Sequence, residues 1–244
     1  GDMMEGVSSE ACSLAGHLGL GKLIVYYDDN SISIDGSTDI TFTEDVAARF
    51  AAYGWSTHHA DAYDAESLRK ATKEAQGVTD KPSIVVVKSV IGKGAPNKQG
   101  TSGVHGAALG SDEIEKTKEN LGLDPNVDFY IDPKAIEFFD ARRKSLRESR
   151  AEWFTSFEAW AQARPDLKAL WDETHTETGG DIDKLELPDF EIGSSVATRS
   201  SGGKLIQAIS KQMHSFIGGS ADLAASNKTS MPDFADFSRT DRSG

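Results

Sequence analysis

The sequence predicts an α/β fold: a mostly parallel sheet with helices on both faces, followed from residue 196 by the start of a second α/β domain. Three observations lead there. Short apolar runs alternate with helical periodicities through the first ninety or so residues, as strand–helix–strand crossovers require. The run Ser83–Val90 (SIVVVKSV) is apolar almost throughout and rich in β-branched residues, which suits a strand covered on both faces. Polar turns stand directly after the strand-like runs, where open α/β sheets hold their ligands.

The first 36 residues, GDMMEGVSSEACSLAGHLGLGKLIVYYDDNSISIDG, read as a turn, a helix, a strand and a second turn. Ala11, Leu14, Ala15 and Leu18 recur at three- and four-residue spacing and predict a helix over Val7–Leu20, ended by Gly19 and Gly21. The apolar run Lys22–Tyr27 predicts a buried strand, followed by Asp28, Asp29 and Asn30. This arrangement can place Gly1-Asp2 and Asp28-Asp29-Asn30 side by side at one sheet edge. Their chemistry suits a hard divalent cation holding a diphosphate: a carboxylate oxygen from Asp2, an amide oxygen from Asn30 and a backbone carbonyl from the loop beyond. Ordinary strand-end turns rich in Asp, Asn and Gly have the same composition, so spacing alone leaves both readings open.

The alternation continues. Thr43–Tyr53 reads as a helix capped by Thr43, with Val46, Phe50 and Tyr53 on one face. A strand is expected over Trp55–His59, and a helix over Ala65–Gln76 capped by Asp64. Pro82 leads into Ser83–Val90. Beyond lies a long loop, Ile91–Gly110 (IGKGAPNKQGTSGVHGAALG), with six glycines. Its length and place suit a flexible binding loop or lid. His105, its one imidazole, can donate to a phosphate or a substrate hydroxyl, although a lone loop histidine is also compatible with simple solvation. His58 and His59 are expected to be structural or exposed.

The second half differs in character. Ser111-Asp112-Glu113 opens a polar helix. A long helix is expected from Pro133 to about Arg164, its charges on a solvated face and Phe138, Trp153, Phe157 and Trp160 packed against the domain. Pro165 breaks it. Asp166–Ile192 is acidic, includes Thr178-Gly179-Gly180, and reads as an interdomain linker. Ala197-Thr198-Arg199 leads into a helix to about Met213, and Ser215–Gly219 into a short strand followed by SADLAASNKT. The domain expectation is therefore 1–165, a linker over 166–195, and an incomplete domain over 196–244.

Composition bounds the function classes. The 244 residues carry a net charge of −13, which argues against a nucleic-acid-binding surface. An acidic exterior does not exclude an anionic cofactor, because a metal and local donors set the field at such a site. Cys12 is the single cysteine, in the apolar part of a helix; it fits a reducing compartment and a small core residue better than a nucleophile. No apolar run approaches the roughly 18 residues of a membrane span, and no signal peptide is visible.

The opening stretch resembles the thiamine diphosphate-binding motif of transketolases, Gly-Asp-Gly followed after about thirty residues by Asn. The resemblance extends through NSISIDG, SGVHGAALG and GGSADLAASN, a combination not shared by related thiamine-dependent enzymes such as deoxyxylulose-phosphate synthases. It implies the thiamine diphosphate-binding fold, thiamine diphosphate and Mg2+ (or Ca2+) as cofactors, and transfer of a two-carbon ketol unit between sugar phosphates. By matching position, Asp2, Asn30 and the Ile32 carbonyl are implied as metal ligands. Ile34 and Ile91 would line the thiazolium pocket, Glu5 would lie near a homodimer interface on the cofactor, and Asp222 would face the partner subunit's cofactor. His105 would touch both diphosphate and donor sugar, and Arg199 and Ser226 would bind the sugar phosphate. An arginine fork with a hydroxyl is chemically apt for a phosphate monoester.

Two departures stand out. The family has Gly-Asp-Gly and one further residue before Met-Met-Glu-Gly, whereas here Gly1-Asp2 runs straight into Met3-Met4-Glu5-Gly6. The family serine three places after the arginine is Gly202 here, followed by Gly203, and each glycine weakens a helix by about 1 kcal/mol relative to Ala. The resemblance implies a central piece of a longer enzyme, inactive alone, of the cytoplasm or, with an upstream transit peptide, an organelle stroma. The other readings are a ketol transferase with a different acceptor, such as formaldehyde, and a non-catalytic truncated chain.

Overall fold

The computed structural model describes residues 1–175 and 182–243. The chain forms two compact units, 1–130 with 237–242, and 131–236 with 243–244.

The first unit is built on three parallel strands, β1 (Ile24–Asp29), β2 (Ser56–Asp61) and β3 (Ser83–Lys88), in the order β1-β3-β2. Central β3 pairs with both neighbours in matched register, Ser83 with Ile24 and Ser56, Lys88 with Asp29 and Asp61. Alternation along the strands divides the core in two. On one face Ile84, Val25 and Tyr27 pack with Ala15 and Cys12 of α1 (Gly6–Leu18) and Val46 and Phe50 of α2 (Val46–Ala52), closed by Trp55. On the other, Val85, Val87, Ile24 and Ala60 meet Leu68, Ala71 and Ala75 of α3 (Ala65–Gly77). Helices therefore cover both faces of a parallel sheet, as the alternating sequence predicts.

The local signals explain most boundaries. The left-handed Gly19 ends α1, and Asp64 caps α3 by accepting from the N–H groups of Glu66 and Ser67. Two expectations need correction. The cap of α2 is Asp45, which accepts from Ala48 N–H at 2.9 Å, in place of Thr43. Asp28 and Asp29 are the last residues of β1 and do not follow it, because the ladder to β3 runs on to Lys88 and pairs Asp29 with that lysine.

Beyond β3 the chain reaches α4 (Ser111–Asn120), the polar helix expected after the glycine loop. The second unit opens with α5 (Pro133–Ala163), capped by Asp132, and Pro165 begins α6 (Pro165–Thr174), so part of the stretch read as linker is helical. Thr178-Gly179-Gly180 lies outside the described residues. Of the α5 aromatics, Phe138 is 67% exposed and Trp153 51%, in place of the packed stripe expected. Trp153 stacks on Phe157, and Phe157 and Trp160 meet Trp171 of α6, because the helix pair alone supplies apolar partners for this stripe.

The last segment forms α7 (Thr198–Ser210) and the single turn α8 (Ala224–Asn227). Gly203 is suited to its place, since a Cβ there would lie 2.8 Å from the Lys228 carbonyl oxygen. The strand expected at Ser215–Gly219 is absent from the structure: the described residues of the second unit hold no other strand to pair with it, and Ile217 is exposed.

Candidate active site

The carboxyl ends of β1 and β3 are adjacent; Asn30, Ile32 and Ile34 follow the first, and Ile91 and the loop that bears His105 follow the second. Asn30 is the first residue off β1. Its Oδ1 accepts from the Ile32 N–H at 2.9 Å, and its Nδ2 donates to Asp28 Oδ2 at 3.3 Å. Ser31 adopts a positive φ of 62° to make this turn. The Ser33 N–H donates to Gly36 O and the Thr38 N–H to Ser31 O, flanking the isolated bridge between Ile32 and Ser37. That bonding pattern leaves the Ile32 carbonyl outside the ladder. Asn30 thus presents an amide oxygen with one lone pair engaged, and Ile32 a carbonyl, at one strand end. Two neutral oxygens suit a hard divalent cation that keeps waters and phosphate oxygens for the rest of its shell. Among the described residues no group of three His, Cys, Asp or Glu side chains is placed to hold a metal. Ile34, in the same turn, is 71% exposed.

The second wall comes from β3. Ser89 Oγ donates to Asp28, Ser89 N–H donates to Asp29 O at 3.3 Å, and the chain then enters the Ile91–Gly110 loop. Ile91 is half-buried at its root, where its carbonyl accepts from Gly100 N–H at 2.8 Å. The hydroxyl of Tyr63, just beyond β2, bonds both the N–H and the carbonyl of Val90 at 2.8 and 3.1 Å. His105 follows a 3-10 turn over Ser102–Val104 and is exposed.

Sequence reasoning expected this loop to be flexible, but it is a folded structure. Glu113, 7% exposed in the first turn of α4, accepts from the Asn97 N–H and side-chain amide, both at 2.8 Å, and from Lys98 N–H at 3.1 Å. These bonds, led by the Asn97 side chain, hold its carboxyl below the usual carboxylate range. Lys98 Nζ donates to Leu109 O at 2.9 Å, and Asn120 Nδ2 to Gly94 O at 3.0 Å. Glu113 had no distinguishing mark in the sequence beyond an acidic first turn; its partners lie 15 and 16 residues away.

Asp2 and Glu5 flank a 3-10 turn leading into α1. Arg49, also missed by the sequence reading, anchors that turn: its guanidinium donates to Met3 O at 3.2 Å and Ser9 Oγ at 2.7 Å while pairing with Glu44 at 2.7 Å. No hydrogen bond or ion pair among the described residues joins Asp2 or Glu5 to the Asn30 turn or to His105. Burial pushes the Cys12 thiol up, in keeping with a packing role. Burial, then Asp29, pushes up the Tyr27 phenol beneath the site.

In the second unit Arg199 and Ser226 come together: the Arg199 guanidinium donates to the Ser226 carbonyl at 3.5 Å, and both side chains are exposed. Asp222 is exposed just before α8.

A three-stranded parallel sheet with helices on both faces, whose adjacent strand ends lead into the Asn30 turn and the loop bearing His105, defines an α/β domain. The family model described as "Transketolase, thiamine diphosphate binding domain" matches residues 1–178, and the chain belongs to that family. A transketolase of Geobacillus stearothermophilus is 46% identical over 94% of this chain and 35% of its own length. The solved structure of transketolase from Leishmania mexicana superposes with a TM-score of 0.89 at 35% identity, over 99% of this chain and 36% of that one. A Pichia stipitis transketolase solved in complex with sedoheptulose 7-phosphate gives a TM-score of 0.84 at 39% identity, over 97% of this chain and 35% of that one. The chain spans little more than a third of the length of the curated relatives it matches. Among the described residues no helix is long and apolar enough to cross a membrane.

Proposed function

We propose that this chain supplies the diphosphate-binding part of a transketolase, an enzyme that moves a two-carbon ketol unit between sugar phosphates. The observation that carries the reading is the convergence of the Asn30–Ile32 turn and the Ile91–His105 loop on adjacent strand ends, in a chain of this family. The nucleophilic carbon needed to break and form the carbon–carbon bond is supplied by bound thiamine diphosphate. The chain's own residues place and stabilise. Asn30 and the Ile32 carbonyl, with Asp2 as the carboxylate, hold the Mg2+ or Ca2+ that neutralises the diphosphate. Ile34 and Ile91 give apolar surface for the thiazolium ring. His105 donates to the diphosphate and to a hydroxyl of the donor sugar, which orients the sugar for bond cleavage. Arg199 and Ser226 grip the phosphate of the sugar, Glu5 lies near the homodimer interface, and Asp222 faces the partner subunit's cofactor. A cytoplasmic setting accords with the single half-buried cysteine.

The test is His105→Ala in a complete transketolase carrying this stretch. The expected result is a fall in turnover together with weaker use of the donor ketose phosphate, measured by steady-state kinetics with donor varied. Unchanged kinetics would return His105 to a solvated loop residue and remove the reading's main support.

A further inference from the structure

We infer that Glu113 is the positioning residue of the His105 loop, holding that imidazole where the donor sugar meets it; this rests on the role proposed for His105. His105 lies between two fixed points. On one side, Val104 packs on Gly92 so closely that a Cβ at Gly92 would lie 2.9 Å from Val104 Cγ2, and Gly92 also has a φ of 64°, so only glycine fits. On the other side, Lys98 Nζ reaches across to the Leu109 carbonyl, eleven positions on, at 2.9 Å, closing the arc within which His105 sits. The second of these points hangs on the turn at Asn97–Lys98. Thr101 N–H and Oγ1 donate to the Lys98 carbonyl at 3.3 and 2.7 Å, so the backbone of Lys98 also starts the turn that leads to His105.

That turn is secured by Glu113. One carboxylate oxygen takes both backbone N–H groups, of Asn97 and Lys98, and the other takes the Asn97 amide. Three charge-assisted bonds on one nearly buried carboxylate make a rigid joint between the loop and the first turn of α4. Glu113 is nearly buried and bonded to Asn97 and Lys98, so its effect on the reaction passes through the placement of His105. Displacements of about 1 Å at such a contact cost up to about a hundredfold in rate.

The test is a double-mutant cycle with a polarity swap in the complete enzyme. Glu113→Ala should lower kcat/KM for the donor ketose phosphate by roughly ten- to a hundredfold. Once His105→Ala is present, Glu113→Ala should cost no more than about twofold further, since the two act as one unit. Glu113→Gln alone sets amide against amide and should also be impaired. Adding Asn97→Asp exchanges amide and carboxylate, restores the bond with its polarity reversed, and should recover most of the loss. Hydrogen exchange should show faster exchange over residues 97–109 in Glu113→Ala, with the amides of β1 and β3 unchanged. Additive kinetic losses, a swap no better than Glu113→Gln, or exchange that leaves 97–109 as protected as before would overturn the inference. If His105→Ala is itself kinetically silent, the reading of His105 fails, and the exchange result alone then decides whether Glu113 positions the loop.

Discussion

Replacing Asn30 tests the proposed metal site most directly, because the structure separates what this side chain does for the turn from what it would do for a cation. Its Oδ1 accepts the Ile32 N–H at 2.9 Å, and its Nδ2 donates to Asp28 at 3.3 Å. Asn30→Ala removes both bonds, and a partly buried bond is worth about 1 kcal/mol, so stability should fall by about 1–2 kcal/mol. Asn30→Asp keeps an acceptor for Ile32 but sets a second carboxylate about as near Asp28 as the amide now stands, at 3.3 Å. Two like charges at that separation repel by about 1 kcal/mol in water and about 5 at an effective dielectric of 20; the exposed setting favours the lower end. A divalent cation relieves that repulsion and gains a charged ligand. The two variants should therefore diverge. In the complete enzyme with thiamine diphosphate in excess, Asn30→Ala should raise the Mg2+ concentration for half-maximal activity by about tenfold or more, the loss typical when a metal's coordination is disturbed. Asn30→Asp should unfold at lower temperature without metal and recover more than wild type when Mg2+ is added, as read by calorimetry. An unchanged Mg2+ requirement in both variants would refute the assignment of Asn30 as a ligand, and with it the argument from the Ile32 turn.

Three further outcomes are expected. Arg199→Ala in the complete enzyme should raise KM for phosphorylated sugars by about one to two powers of ten, the worth of a charge-assisted phosphate contact, and change kcat less; an unaltered ratio of kcat/KM between a phosphorylated sugar and its unphosphorylated analogue would remove Arg199 from the phosphate site. Because its hydrogen bonds lower the folded-state pKa of Glu113, the stability it contributes is present above the ordinary carboxylate pKa and is lost as pH falls through the lowered folded value. Hydrogen exchange over 97–109 should therefore loosen in acid before that of β3, and Glu113→Gln should flatten this dependence; a loop that titrates identically in the variant would contradict it. The 244-residue chain, which spans little more than a third of its relatives' length, should alone bind thiamine diphosphate weakly or not at all; calorimetry showing micromolar Mg2+-dependent binding would contradict this.

Local chemistry made much of the first unit legible in the sequence. The β-branched run of β3, the glycine after α1, Asp64 at the head of α3 and the prolines at 133 and 165 each act within a few residues of themselves, so a one-dimensional reading captures them. The Asn30 turn was legible for the same reason, being built by a side chain bonding two residues ahead. Tertiary structure decided what depends on partners far along the chain. The end of β1 moved to Asp29 because β3 continues to Lys88 beside it, and Ser215–Gly219 failed as a strand because it found no edge. The α5 aromatics turned to α6 because that helix lay within reach of their stripe. The strand order β1-β3-β2, which sets the Asn30 turn beside the root of the His105 loop, rests on pairings between strands tens of residues apart. The roles of Arg49 and Glu113 have the same origin. A charge looks the same in sequence whether it is solvated or satisfied, and only folding brings together the carbonyls and N–H groups that bind it, tens of residues from Arg49 and about fifteen from Glu113.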